Sequence, residues 1–101
     1  MADSPTVGYA DALFSVAEAE GNLSAVEDEL FGFAQTFQAN EELRSTLADA
    51  SVPVARRLQL IEDLLDGKAS VTTASLISMV VSAGRANDLP SIVDAFVDRS
   101  A

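Results

Sequence analysis

The run ASVTTASLISMVVSAGRANDLPSIVDAFVD, residues 69–98, decides what kind of fold this chain adopts. From Ala69 to Gly84 it carries no charge. A stretch so apolar is either a membrane span or a helix covered by its neighbours. It is shorter than the roughly 20 apolar residues that a span needs, and six of the residues between Ser70 and Gly84 are Ser or Thr. A central, covered helix is therefore expected. Punctuation follows at once. Gly84 accepts positive φ without a Cβ clash and can end that helix. Asp88 or Leu89 stands where an N-cap belongs, and Pro90 falls in the first turn, where its missing N–H costs nothing. Leu89, Ile92, Val93, Phe96 and Val97 then recur at helical spacing. The stretch reads as helix, stop, start, helix.

Working outward, four more helices precede this pair. The first spans about Pro5 to Glu20, with Tyr9, Ala10, Leu13, Phe14 and Ala17 on one face. Gly8, Ala12, Val16 and Ala19 form a second face of small residues, and only Asp11, Glu18 and Glu20 are charged, so much of this helix should be covered as well. Gly21 stops it. Asn22 caps the next, which runs to about Ala39 on a stripe of Leu23, Val26, Leu30, Phe33 and Phe37, with Phe31 off the stripe and expected against a neighbouring helix. Asn40 caps a short third helix whose Leu43 and Leu47 lie four apart. In the fourth, Pro53 starts the helix and Gly67 ends it, and Val54, Leu58, Ile61 and Leu65 form the predicted buried row. No strand pattern, repeat or linker interrupts the series. The expectation is an all-α fold, a compact six-helix bundle with helices 1 and 5 central, in one domain over residues 1–101.

Composition narrows the chemistry. The chain has no cysteine and no histidine, which removes disulfides, thiol nucleophiles, imidazole bases and the usual zinc ligands together. Its N-terminus, MADSPTVGYA, has neither a signal-peptide layout nor the Arg-rich character of a transit peptide. That predicts a protein that folds where it is made, in a bacterial cytoplasm. The formal net charge is −10. Residues 1–50 hold ten acids and Arg44 as their one base, whereas residues 51–101 hold six acids and five bases. No cationic groove is offered to phosphates, so nucleic acid is not the expected partner.

Candidate sites for catalysis do not converge. Glu27-Asp28-Glu29 and Glu62-Asp63 are adjacent acids on helices, which point in different directions and lie beside polar faces, where nothing raises a pKa. LLDGK (64–68) supplies one acid before its Gly, unlike a calcium loop. GYADAL (8–13) lacks the lysine and spacing of a phosphate loop. A carrier protein's phosphopantetheine serine usually follows an Asp, and the pair Asp3-Ser4 lies at a terminus expected to fray. No enzyme activity, cofactor or metal is expected. What remains is surface: helices 1 and 5 lack charge over more positions than so small a domain can easily bury. A groove between them, lined by Tyr9, Ala12 and Met79, would accept an amphipathic helix from a partner, unless the last helix or the N-terminal arm covers it.

Three segments carry a resemblance. YADALFSVAEAEGNL (9–23), ELRSTLADASVPVARRLQLIEDLL (42–65) and GRANDLPSIVDAF (84–96), in this order, resemble the N-terminal domain of the ATP synthase delta subunit, the bacterial counterpart of the mitochondrial oligomycin-sensitivity-conferring protein. Tyr-Ala-x-Ala-Leu-Phe at the start and Gly-Arg-x-x-x-Leu-Pro-x-Ile at the end make the match fairly specific together. The resemblance implies a six-helix bundle on top of the F1 head of an F-type ATP synthase. It implies binding of the N-terminal helical segment of an F1 alpha subunit in the groove between helices 1 and 5. By motif position Tyr9, Ala12 and Met79 would line that groove, with Ile77 and Val80 in the core. The family's separate C-terminal domain, which engages the peripheral-stalk b subunit, has no counterpart in these residues, so an excised or truncated domain is expected. The implied duty is that of a stator during proton-driven ATP synthesis, peripheral to the cytoplasmic face of a bacterial membrane, without membrane insertion. An RNA-binding or transcription-regulating helical bundle is the competing reading, and the net charge disfavours it. Arg85, in the closing motif, is expected to hold the corner between the last two helices through exposed carbonyls or Asp88.

Overall fold

The computed structural model describes residues 4–101, so Asp3 of the Asp3-Ser4 pair and the N-terminal arm lie outside the described residues. Six α-helices follow one another: α1 (Ser4–Glu20), α2 (Leu23–Ala39), α3 (Glu41–Ala48), α4 (Val54–Leu65), α5 (Val71–Ser82) and α6 (Leu89–Ser100). A single 3-10 turn, Ala86–Asp88, joins α5 to α6, and no strand occurs among the described residues. The all-α bundle expected from the sequence is the fold observed.

The chain breaks where its residues require it. Gly84 sits at φ 77° and closes α5 with a paired motif, its N–H donating to Val81 O at 3.0 Å and the Arg85 N–H donating to Val80 O at 3.1 Å. That is the left-handed stop only glycine adopts cheaply. Asn40 caps α3 by accepting a hydrogen bond from Leu43 N at 2.9 Å. Asn22 occupies the N-cap of α2, but its side chain makes no cap bond there. It donates instead to Thr72 Oγ1 at 3.3 Å, tying the start of α2 to the first turn of α5. Pro53 stands one place before α4, at its N-cap, while Pro90 lies in the first turn of α6 as expected.

The core is the sum of these one-sided stripes. Helix α6 lies against α1 and α2, and it buries Leu89, Ile92, Val93 and Phe96. The Phe14 and Phe96 rings meet at 5.9 Å between centroids and 57°, a tilted aromatic pair. From α5 come Leu76, Ile77, Val80 and Val81, all buried, so Ile77 and Val80 belong to the core. Side chains of this kind contribute about 1.5–3 kcal/mol each on full burial.

Two expectations are corrected, while the central placing of α1 and α5 stands: α1 packs on α6, α2 and α5, and α5 on α4, α2 and α1. As expected of a helix with more uncharged positions than so small a domain can bury, α5 keeps part of its surface open, with Val71 84% and Met79 41% exposed. Six short helices cannot surround each other completely. Phe31 is 51% exposed, so about half of its side chain is left open rather than packed away. In α4 the buried row is not Val54, Leu58, Ile61 and Leu65: Ile61 is fully buried, Leu58 and Leu65 are half-buried, and Val54 is exposed. The second buried residue of α4 is Arg57, 8% exposed. Its Nε donates to Val52 O at 3.0 Å and its Nη1 to Leu47 O at 3.4 Å. Carbonyls left over at the end of α3 and in the following loop need donors, and a guanidinium supplies several in one plane.

Candidate functional site

Helix α1 turns Ala10, Leu13, Phe14 and Ala17 inward, which forces its small-residue face outward. Gly8, Ala12, Val16 and Ala19 are all exposed there. Helix α5 does the same: with Leu76, Ile77, Val80 and Val81 inside, Ser75, Met79 and Ser82 are exposed. Where the two open faces meet, a shallow groove of about 310 Å³ is lined by Pro5, Gly8, Tyr9, Ala12 and Met79. The three residues predicted for a partner groove therefore lie together. No lining residue is charged, and the Tyr9 hydroxyl is the only side-chain polar group among them. Gly8 and Ala12 allow close approach of another backbone, and the Met79 thioether can adapt to an apolar surface. Such a site does no bond-making chemistry. It can desolvate an apolar helix face.

The groove has a cationic edge. Arg85, just past α5, pairs with Asp88 at 2.9 Å, which is one of the two arrangements expected of it. Its guanidinium carbon also lies 5.6 Å from the centroid of the Tyr9 ring, within cation–π range. The second contact was not legible, because it joins residues from opposite ends of the chain.

A different anchor fixes α5 at its start. The Glu29 carboxylate on α2 accepts hydrogen bonds from Ser70 N at 3.0 Å, Ser70 Oγ at 2.9 Å and Thr73 Oγ1 at 2.5 Å. Ser70 is the N-cap of α5 and itself accepts from Thr73 N at 3.2 Å. An anion is thus held at a helix N-terminus, where the unpaired N–H groups favour it. Burial alone would raise the Glu29 pKa. The hydrogen bonds from Thr73 and Ser70 outweigh it and hold the carboxyl below its ordinary value of 4.5.

The remaining carboxylates disperse. Glu27 accepts from Ser100 Oγ at the end of α6, and Asp63 accepts from Gln59 Nε2 at 3.0 Å. Asp28 faces a separate hollow of about 480 Å³ between α2 and α4. GYADAL lies inside α1, as helix rather than loop. Among the described residues no group of three or more His, Cys, Asp or Glu is placed to hold a metal ion. No helix among them is long and apolar enough to cross a membrane.

This arrangement has known counterparts. Residues 7–101 match the profile of the ATP synthase delta (OSCP) subunit family. The chain is 39% identical over 87 residues to the ATP synthase subunit delta of Kineococcus radiotolerans, covering 86% of this chain and 32% of that protein. It is 37% identical over 99 residues to the subunit delta of Limosilactobacillus reuteri, covering 96% of this chain and 54% of that protein. It thus spans about a third of one relative and about half of the other. A cryo-EM structure of Polytomella F-ATP synthase, focused on the F1 head and rotor in rotary substate 2C, contains a chain of similar fold. The TM-score is 0.82 at 27% identity, over 97% of this chain and 87% of that one.

Proposed function

The chain belongs to the ATP synthase delta (OSCP) subunit family, and from that premise we propose that it is the part of such a subunit that grips the F1 head. The occupant of the α1/α5 groove is the N-terminal helical segment of an F1 alpha subunit. The duty is mechanical and non-catalytic: this module helps hold the head to the peripheral stalk while the central shaft turns, so that rotation driven by protons does work on the catalytic sites. Contact with the stalk b subunit belongs to parts of the subunit outside these residues. The module works in the F1 sector, at the cytoplasmic face of the membrane.

The observation that carries this reading is the uncharged groove of Pro5, Gly8, Tyr9, Ala12 and Met79 in a chain of net charge −10. Acidic residues mark much of the surface, whereas here two helices turn uncharged faces to the same opening. An amphipathic helix laid across it exchanges water for apolar contact on both sides, at about 25 cal/mol per Å² of apolar surface. Part of that gain offsets the lost freedom of the docking segment.

Titration of the isotope-labelled chain with a synthetic peptide of the alpha-subunit N-terminus, read by backbone amide NMR, tests the proposal. The largest shifts should fall at Gly8, Tyr9, Ala12 and Met79. Shifts confined to the acidic face of α2, or none at saturating peptide, would contradict it.

A further inference from the structure

We propose that Arg85 is a positioning residue of the groove: anchored by Asp88, its guanidinium holds the Tyr9 ring in the orientation that lines the site. The inference rests on the groove being the partner site, and it adds the means by which the groove keeps its shape.

The geometry runs in three links. Asp88 Oδ2 accepts from Arg85 Nη1 at 2.9 Å, and both side chains are about one-third exposed. The Arg85 guanidinium carbon lies 5.6 Å from the centre of the Tyr9 ring. Tyr9 in turn is one of the five residues that line the groove. One side chain thus connects the α5–α6 corner to the wall of a site built by α1 and α5.

The α5–α6 corner is braced by that ion pair and by the backbone stop at Gly84, with its bonds to Val80 and Val81. The contact with the Tyr9 ring is an addition to both. What the ring gains is a fixed orientation. Tyr9 is half-buried and packs on its inner side against the core, whereas on the groove side its α1 neighbours Gly8 and Ala12 are too small to wedge the ring. A guanidinium over a ring attracts it through the ring's quadrupole, and its planar shape suits stacking. A Tyr9 ring left loose would have to be ordered each time a partner docks, and that ordering lowers affinity.

The chain contains one tyrosine and no tryptophan, so the near-ultraviolet tyrosine signal reports on Tyr9 alone. The variants are Arg85→Ala, Arg85→Lys and Asp88→Asn, each measured by near-ultraviolet circular dichroism, melting, and affinity for the alpha-subunit N-terminal peptide. For Arg85→Ala the Tyr9 band should weaken, and affinity should fall about fivefold to tenfold, in the range expected for one cation–π contact. Arg85→Lys keeps the charge without the plane and should recover part of both. Asp88→Asn leaves Arg85 in place but loosens its anchor, so the band should weaken with a smaller loss of affinity. If Arg85→Ala does not fold, Asp88→Asn and Arg85→Lys decide. A Tyr9 band at parental strength in the folded variants overturns the proposal, whatever happens to melting. So does a weakened band with unchanged affinity. A parent chain that binds no peptide defeats the partner assignment instead, and the Tyr9 band still tests whether Arg85 orders the ring.

Discussion

Glu29 and Thr73, 44 residues apart, are joined by a hydrogen bond of 2.5 Å that fastens the middle of α2 to the first turn of α5. With the two bonds from Ser70, it gives α5 a fixed starting point. Helix α5 carries Met79, one wall of the groove, so the position of that wall begins at a carboxylate on another helix.

Glu29→Ala should therefore destabilise the domain by about 1–3 kcal/mol, the usual cost of hydrogen bonds lost from a charged acceptor and of groups left unpaired. The effect depends on pH. Because the folded carboxyl titrates below 4.5, its stabilisation is complete above that value and is lost as pH falls through the folded pKa. Melting of parent and Glu29→Gln should differ at neutral pH and converge in acid. Equal melting at pH 7 would show that the clasp contributes nothing.

Arg57→Ala should cost about 2–4 kcal/mol, since it removes a buried stem and leaves the carbonyls of Leu47 and Val52 without these donors. Chemical denaturation checks it. A loss below 0.5 kcal/mol, roughly what a surface change costs, would mean that water takes over both carbonyls.

Gly8→Ala should do the opposite. A Cβ at Gly8 meets nothing within 4 Å, and the residue lies inside α1 with ordinary helical backbone. Replacing glycine by alanine in a helix gains up to about 1 kcal/mol. A lower melting temperature would indicate a neighbour too close for the added methyl.

How much of this was legible depends on the range of the interactions. Leu30, Phe33 and Phe37 of α2, and Ile92, Val93 and Phe96 of α6, recur at helical spacing and are buried as that spacing requires. The turns at Gly84 and Asn40 were legible for the same reason, since each is settled within a few residues. The groove residues Tyr9, Ala12 and Met79 stood out because the charge pattern left two helix faces bare, and they do share one opening. Arg57 was missed: a charged residue reads as exposed, and only the loop carbonyls folded around it explain its burial. From sequence Glu29 is one of three adjacent acids, Glu27-Asp28-Glu29, beside a polar face, for nothing local links it to Ser70 and Thr73. Phe31 has the type of a packing residue, but it lies off the buried stripe and is 51% exposed.

If the partner docks by an apolar face, salt should matter little. Exposed charges are screened over about 8 Å at 0.15 M ionic strength; the groove lining carries none, and Arg85 at its edge is paired with Asp88. Peptide affinity should change by less than about threefold between low and physiological salt. A collapse over that range would locate binding on the acidic face of α2.

Met79→Asp tests the central claim most directly, with melting and alpha-peptide affinity measured on one preparation. Met79 is 41% exposed and outside the core, so the variant should melt close to the parent. In the complex its carboxylate would be taken from water against an apolar helix with no partner for the charge, at a cost of about 2–5 kcal/mol of binding. Normal melting with binding weakened at least thirtyfold, about 2 kcal/mol, is the predicted result. A variant that melts like the parent and binds the peptide equally well would contradict the assignment of this groove as the F1 contact.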